Sequence, residues 1–263
     1  EPFAHQRTAL LRSWNKPNYG LFMEMGTGKS KVLIDTIGIL YGKGAINAVV
    51  IVAPKGVYRN WSTKEIPDHM PDHIDTHVAV WSPAPRKQEK ADLVKLFNTD
   101  LDELKIFLIN VEAFSTPKGV KFTENFILGH QVLFAVDEST TIKNPKASRT
   151  KAITKLAKNT KYRRILTGSP ITQSPLDLYS QTEVLDTNLL GYTSFYSFQN
   201  HYGEVVNRYF GGRTVRQVVG YRNLDELSQK LDSFSYRVLK SDCLDLPEKL
   251  YIRRDVTLTA EQK

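Results

Sequence analysis

Six short stretches of this chain carry apolar runs, most of them rich in β-branched residues: YGLFMEM (19–25), NAVVIVAP (47–54), THVAVW (76–81), KIFLINV (105–111), VLFAVDE (132–138) and RRILTGSP (163–170). A strand with one wet face alternates apolar and polar residues. Several of these do not alternate, so their sheet must be covered on both faces. The covering elements lie between them in sequence: residues 29–41, 58–65, 86–97 and 145–157 read as helices, the last opened by Asn144 as cap with Pro145 in its first turn. Strands alternating with helices predict an α/β fold with a central, mostly parallel sheet flanked by helices.

The pattern changes after about residue 185. EVVNRYFGGRTVRQVVGY (204–221) places Gly211 and Gly212 between two strand-like arms, which predicts a hairpin, and LDELSQKL (224–231) reads as a helix. The expected organisation is a main α/β domain over 1–185, an appended hairpin and helices over 186–235, and a connection over 236–263. With 263 residues and 41% hydrophobic content, the chain can bury such a core without a disulfide or a metal.

Thirty-six Lys and Arg against twenty-eight Asp and Glu give a net charge of +8, which favours a polyanionic partner. Cys243 is the only cysteine, so no internal disulfide is possible and a reducing compartment is expected. No stretch approaches eighteen uncharged apolar residues, and EPFAHQRTAL lacks the layout of a signal peptide. A cytoplasmic protein, or a nuclear one in a eukaryote, with no membrane partner is the expectation. His69, His73 and His77 are spaced for one helix face, but Pro67 and Pro71 break that helix, so no metal site is expected from them.

Two motifs carry chemistry. MEMGTGKSKVLIDTI follows a strand and opens a helix, the setting of a phosphate-binding loop. Gly26 and Gly28 let backbone N–H groups close on phosphate oxygens, Lys29 reaches the β- and γ-phosphates, and the Ser30 hydroxyl ligates Mg²⁺. The form G-x-x-x-x-G-K-[ST] is met in part, with Met23 in place of the first Gly. VLFAVDE supplies the complement: Asp137 at the strand tip suits the Mg²⁺, leaving Glu138 to orient and activate water.

Further segments extend the pattern. MEMGTGKS is close to D-E-M-G-x-G-K-[ST], departing at Met23, and APKGVYRNWSTKE (53–65) is similar to A-P-x-x-x-x-x-x-W-x-x-E. VDESTTIKNPKASRTKAI resembles D-E-A-H-x-I-K-N, RILTGSPITQSPLDLYS resembles L-T-G-T-P-I-x-N-x-x-x-E-L, and YRVLKSDCLDLPEK (236–249) resembles a segment leading to a second domain. On these residues the chain resembles the first RecA-like domain of the SWI/SNF-type ATPases, the double-stranded DNA translocases of helicase superfamily 2. The resemblance covers nearly the whole chain and implies a RecA-like P-loop fold and DNA-dependent ATP hydrolysis with Mg²⁺.

Residue by residue, it implies Gln6 on adenine, Gly26, Thr27, Gly28, Lys29 and Ser30 on the nucleotide, and Ser30 and Asp137 on Mg²⁺. Lys29, Asp137 and Glu138 become the catalytic groups, and Thr167 and Ser169 the couplers between the ATP and DNA sites. Ser139 and Thr140 stand where the family has Ala and His, and Ser169 where it has Thr. DNA-backbone contacts are expected from Lys55, Arg59 and Asn60, from Asn110, and from Lys143. Lys143 heads a basic stretch that runs to Arg164 with no acid before Asp177. Trp61 and Phe114 read as core anchors rather than base-stacking platforms.

The chain reaches LTAEQK where the resemblance places the start of a second RecA-like domain, which supplies an arginine finger. A fragment that hydrolyses ATP weakly alone is therefore expected, since a missing finger costs roughly 10³ to 10⁵ in rate. Two rivals stay open. One is a strand-separating DNA or RNA helicase or a restriction-enzyme motor, disfavoured by IKNP. The other is a non-hydrolysing nucleic-acid-binding module, disfavoured by the intact Lys29, Ser30, Asp137 and Glu138.

Overall fold

All six apolar stretches become strands of one sheet in the computed structural model, which describes residues 2–98 and 102–243. They are β1 (Asn18–Met23), β2 (Ala48–Ala53), β3 (Thr76–Val80), β4 (Leu104–Asn110), β5 (Val132–Asp137) and β6 (Tyr162–Leu166). The expected hairpin follows as β7 (Gly203–Phe210) and β8 (Arg213–Tyr221). A further strand, β9 (Ser235–Val238), returns to the main sheet. The order is β3-β4-β2-β5-β6-β1-β9, and every neighbouring pair is parallel.

β2 and β5 are buried at every residue, which explains their unbroken apolar sequences. The strand period of two sends alternate side chains into two cores. Val50, Val52, Phe107, Phe134 and Val136 join the core covered by the helices Pro117–Leu128, Ser148–Ala157 and Leu178–Leu185. Val49, Ile51, Leu133 and Ala135 join the opposite core, under helices α1 (Ala4–Ser13) and α2 (Lys29–Gly42). Asp137 continues the Leu133–Ala135 row, so its side chain points to the α2 side of the sheet.

Several helices depart from the sequence reading. The helix expected from 145 starts at Ser148, because Asn144 accepts from the Lys146 N–H at 2.9 Å and closes a turn instead. The segment expected over 58–65 is helical over 58–69, with a π-turn at Trp61–Glu65. Pro117–Leu128 was not anticipated, although Thr116 caps it and Pro117 occupies its first turn.

The hairpin pairs antiparallel and stays separate from the main sheet. Of the connection expected over 236–263, the part up to Val238 lies in the sheet, while residues 244–263, LTAEQK included, fall outside the described residues. Among the described residues no helix is long and apolar enough to cross a membrane.

Candidate active site

Parallel pairing places the C-terminal tips of all the main-sheet strands along one edge, where open α/β sheets hold ligands. The turn after β1 is built there. Met23, fully buried, is the last residue of that strand, so the position lacking a glycine belongs to the sheet and not to the turn. Gly26 and Gly28 take left-handed backbone with φ of 83° and 89°. Gly28 also leaves room for Gln6, whose Nε2 lies 2.1 Å from where a Cβ at Gly28 would stand, so a larger residue there would displace that side chain. Gln6 is held over the turn by donating to the Thr27 carbonyl at 3.2 Å and accepting from the Phe3 N–H at 3.0 Å.

Gly26, Gly28, Lys29, Ser30, Asp137 and Glu138 line one cleft of about 380 Å³, together with Asn60 and Trp61. Lys29 Nζ lies 3.3 Å from Glu138 Oε1. Asp137 is almost fully buried. The Trp61 indole N–H donates to its Oδ2 at 3.0 Å, and the Glu138 N–H to its Oδ1 at 3.0 Å. Burial pushes the Asp137 carboxyl up to about 6, against the pull of the nearby Lys29 ammonium and with a smaller upward contribution from Glu138. Each carboxylate oxygen keeps accepting capacity after its one hydrogen bond, so the group suits a cation arriving from the cleft. Glu138 has left-handed backbone, φ 47° and ψ 57°, a conformation costly for a residue with a Cβ. That twist turns the chain out of β5 at the cleft.

Thr167 and Ser169 do not line this cleft. Thr167 is buried, and its Oγ1 accepts from the Ser169 N–H at 3.2 Å. Gly168 between them packs on the turn after β1, where an added Cβ would lie 3.2 Å from the Met25 nitrogen and 3.3 Å from the Glu24 Cα. A second tie comes from Ser139. It is fully buried and donates to Gln181 Oε1 at 2.7 Å, while Gln181 Nε2 donates to the carbonyls of Pro170 at 2.7 Å and Asp177 at 2.8 Å. The residue that replaces Ala therefore links the tip of β5 to the segment after β6. The side chain of Thr140 has no such role in the structure.

The remaining predicted residues sit along the same edge, outside the cleft except for Asn60. Lys55 is exposed just beyond β2. Arg59 pairs with Glu89 at 3.6 Å, Asn60 donates to Glu65 at 3.1 Å, and Asn110, the last residue of β4, donates to Glu112 at 2.8 Å. Lys143 donates to Thr172 Oγ1 at 2.7 Å and lies 3.7 Å from Asp177 Oδ2.

The basic stretch from Lys143 to Arg164 is not one continuous surface. Arg164 is fully buried on β6, and its guanidinium donates to the carbonyls of Ser13, Trp14, Lys16, Pro17 and Arg163. Arg163 donates to carbonyls of Lys158, Thr160 and Leu185. Both arginines bind backbone, because β6 directs them against the ends of neighbouring segments. Phe114 and Trp61 are core residues as expected, but Trp61 also hydrogen-bonds Asp137. The one sequence sign of that bond was its indole N–H, which needs a partner once buried. Gln181, a fully buried amide inside the helix Leu178–Leu185, carried no sign beyond its polarity.

Known proteins share sequence and fold with this chain. The sequence matches the SNF2-related domain over residues 6–263. It is 28% identical over 228 residues to the DNA annealing helicase and endonuclease ZRANB3 of Bos taurus, covering 86% of this chain and 20% of that protein. It is 33% identical over 142 residues to the SWI/SNF-related matrix-associated actin-dependent regulator of chromatin subfamily A-like protein 1 homolog of Caenorhabditis elegans, covering 51% of this chain and 19% of that protein. The chain thus spans about a fifth of the length of the curated relatives it matches. The solved Sulfolobus solfataricus SWI2/SNF2 ATPase core in complex with dsDNA has the same fold, with a TM-score of 0.66 at 21% identity over 94% of this chain and 48% of that one.

Proposed function

The chain belongs to the SNF2-related domain family, and from that premise we propose that it is the ATP-binding half of a motor that moves along duplex DNA. The observation that carries this reading is the meeting of Lys29, Ser30, Asp137 and Glu138 in one cleft, although two of them open α2, one ends β5 and one follows it. The left-handed Gly26 and Gly28 free backbone N–H groups at the start of α2 for phosphate oxygens. Gln6, fixed above Gly28, is the group that contacts adenine. Ser30 and Asp137 would hold Mg²⁺, which when bound neutralises phosphate charge.

The chain's own residues then act in order. Lys29 exchanges its contact with Glu138 for the β- and γ-phosphates, which releases the Glu138 carboxylate to orient water and accept its proton. Thr167 and Ser169, packed on the phosphate-loop turn through Gly168, and Ser139 through Gln181, pass changes at the phosphates to the outer edge. There Lys55, Arg59, Asn60, Asn110 and Lys143 contact the DNA backbone. The internal pairs that hold Arg59 and Lys143 are partly exposed and worth about 0–1 kcal/mol each, so phosphates can replace them. Contacts to phosphate predict little sequence preference.

The domain boundaries near 185 and 235, and a second RecA-like domain closing the cleft, belong to this same proposal. The names of relatives that act on DNA, and of the dsDNA-bound neighbour, support a DNA partner. The test is Glu138→Gln in the full-length protein: DNA-stimulated ATP turnover should fall by at least 10²-fold with ATP still bound. Unchanged turnover would remove Glu138 from the mechanism.

A further inference from the structure

The hairpin has no place in the mechanism above, and its construction is unusual for a piece of a folded domain. It is a separate two-stranded sheet, and a lone hairpin is at best marginally stable in water. Its second strand is exposed or half-exposed along its whole length. Val218 packs against the core, and Arg222 ties the base to the helix Phe195–Tyr202 by donating to the Asn200 and His201 carbonyls. Beyond that root Arg216 reaches back to donate to Asn200 Oδ1 at 2.5 Å, and Arg208, Tyr209, Arg213, Thr214 and Val215 are exposed.

The charge on the hairpin is one-sided. Residues 203–222 carry Arg208, Arg213, Arg216 and Arg222 against the single acid Glu204. Register and the strand period of two put Arg208 and Arg213 on one face and Arg216 on the other. Among the described residues, Arg208 and Arg213 form no ion pair or hydrogen bond. Arg216 lies over the half-exposed ring of Tyr196, with its Cζ 6.0 Å from the centroid, and Lys146 Nζ lies 5.9 Å from the same centroid. A basic strip thus runs from Lys143 and Lys146, beside the tip of β5, across Tyr196 and onto the hairpin.

We propose that the hairpin is a second duplex-DNA contact, in which Arg216 lengthens the path that begins at Lys143 and Arg208 and Arg213, on the opposite face, bind backbone phosphates nearer the tip. This rests on the DNA-motor reading above and deepens it. A two-stranded ribbon has the width that a DNA major groove admits, and strands of eight and nine residues rising about 3.3 Å per residue reach roughly 25–30 Å, most of a helical turn. Tyr209, 74% exposed next to the Gly211–Gly212 tip, adds a ring at the far end. Arginine suits this task because its planar fork pairs with phosphate in bidentate fashion.

The test uses Arg208→Ala/Arg213→Ala in the full-length protein, beside Lys55→Ala/Arg59→Ala, with a random-sequence duplex titrated across a salt series. Losing two phosphate contacts should weaken binding at low salt and flatten the slope of log affinity against log salt by about 1.8, at about 0.9 per contact. DNA-free ATP turnover should equal the parent's, since neither arginine touches the cleft. Parent-like affinity and slope in the hairpin variant, with weakened binding in the Lys55 variant, overturn the hairpin contact and leave the motor reading standing. A parent that does not bind duplex at all overturns both. Weaker binding with an unchanged slope excludes phosphate as the hairpin's target and also overturns the proposal.

Discussion

The two edges of the main sheet each bury an ionisable side chain, and they treat it in opposite ways. Arg164, on β6 toward the N-terminal edge, is surrounded by carbonyl acceptors from the end of α1 and the segment that leads into β1. Burial lowers its pKa to about 10, which still leaves it charged at neutral pH. Asp137, at the C-terminal tip of the adjacent β5, has one donor on each oxygen and an open cleft in front. Its pKa is raised to about 6, so its charged form is held at a cost. Burial alone therefore does not mark a functional charge. Arg164 spends both terminal nitrogens on local carbonyls and leaves only Nε without a partner, with no cleft in front of it, so it is structural; Asp137 keeps accepting capacity beside a cavity and is available for a ligand.

The largest test of that contrast is Arg164→Met, which strips the donor from several buried carbonyls and loosens the helix that holds Gln6. Stability should fall by about 3–5 kcal/mol in denaturant unfolding, at every salt concentration. A loss below about 1 kcal/mol would place Arg164 among ordinary surface arginines.

At the other edge the effect should reverse in sign. Burial raises the folded pKa of Asp137 above its unfolded value near 3.8, so the folded state holds this proton more tightly. The associated stability is fully present below about pH 4 and is lost as pH rises through about 6. A shift of roughly two units is worth about 3 kcal/mol, and Asn keeps an acceptor for only one of the two donors, a loss of about 1. Asp137→Asn should accordingly stabilise the protein by about 2 kcal/mol at pH 8, gain nothing at pH 4, and lose ATP turnover. Equal unfolding midpoints at pH 8 would mean that the carboxylate is not strained.

The smallest effect lies just beyond Asp137, on the same C-terminal edge. Ser139→Ala leaves Gln181 Oε1 buried without its donor and should cost about 1 kcal/mol, since the amide still donates to Pro170 and Asp177. If the tie carries signal, the ratio of DNA-stimulated to DNA-free ATP turnover should fall while ATP affinity holds. An unchanged ratio reduces Ser139 to packing.

Much of this was legible because it is local. Six strands announced themselves as apolar stretches, and Gly26, Gly28 and Lys29 followed from the spacing of a loop between a strand and a helix. β9 was missed because SYRV is four residues long and carries a charge in its middle. The partners of the site residues were hidden by distance along the chain: Trp61 is 76 residues from Asp137, and Gln181 is 42 from Ser139. The basic stretch misled because charge in sequence has no direction, and β6 aims Arg163 and Arg164 at carbonyls while the hairpin leaves Arg208 and Arg213 in water.

β9 has a mechanical consequence. Its last carbonyl, on Val238, accepts from the Glu24 N–H at 2.9 Å, and the Glu24 carboxylate then accepts from the Lys240 N–H at 2.8 Å. Tension on the chain past Cys243 therefore enters the body at the turn that carries Gly26 and Gly28. Because β9 runs parallel to β1, a pull along the strand axis loads its hydrogen bonds together in shear instead of unzipping them singly. The sheet edge is thus a firm mooring, and the first part of the molecule to feel the load is the glycine turn after β1.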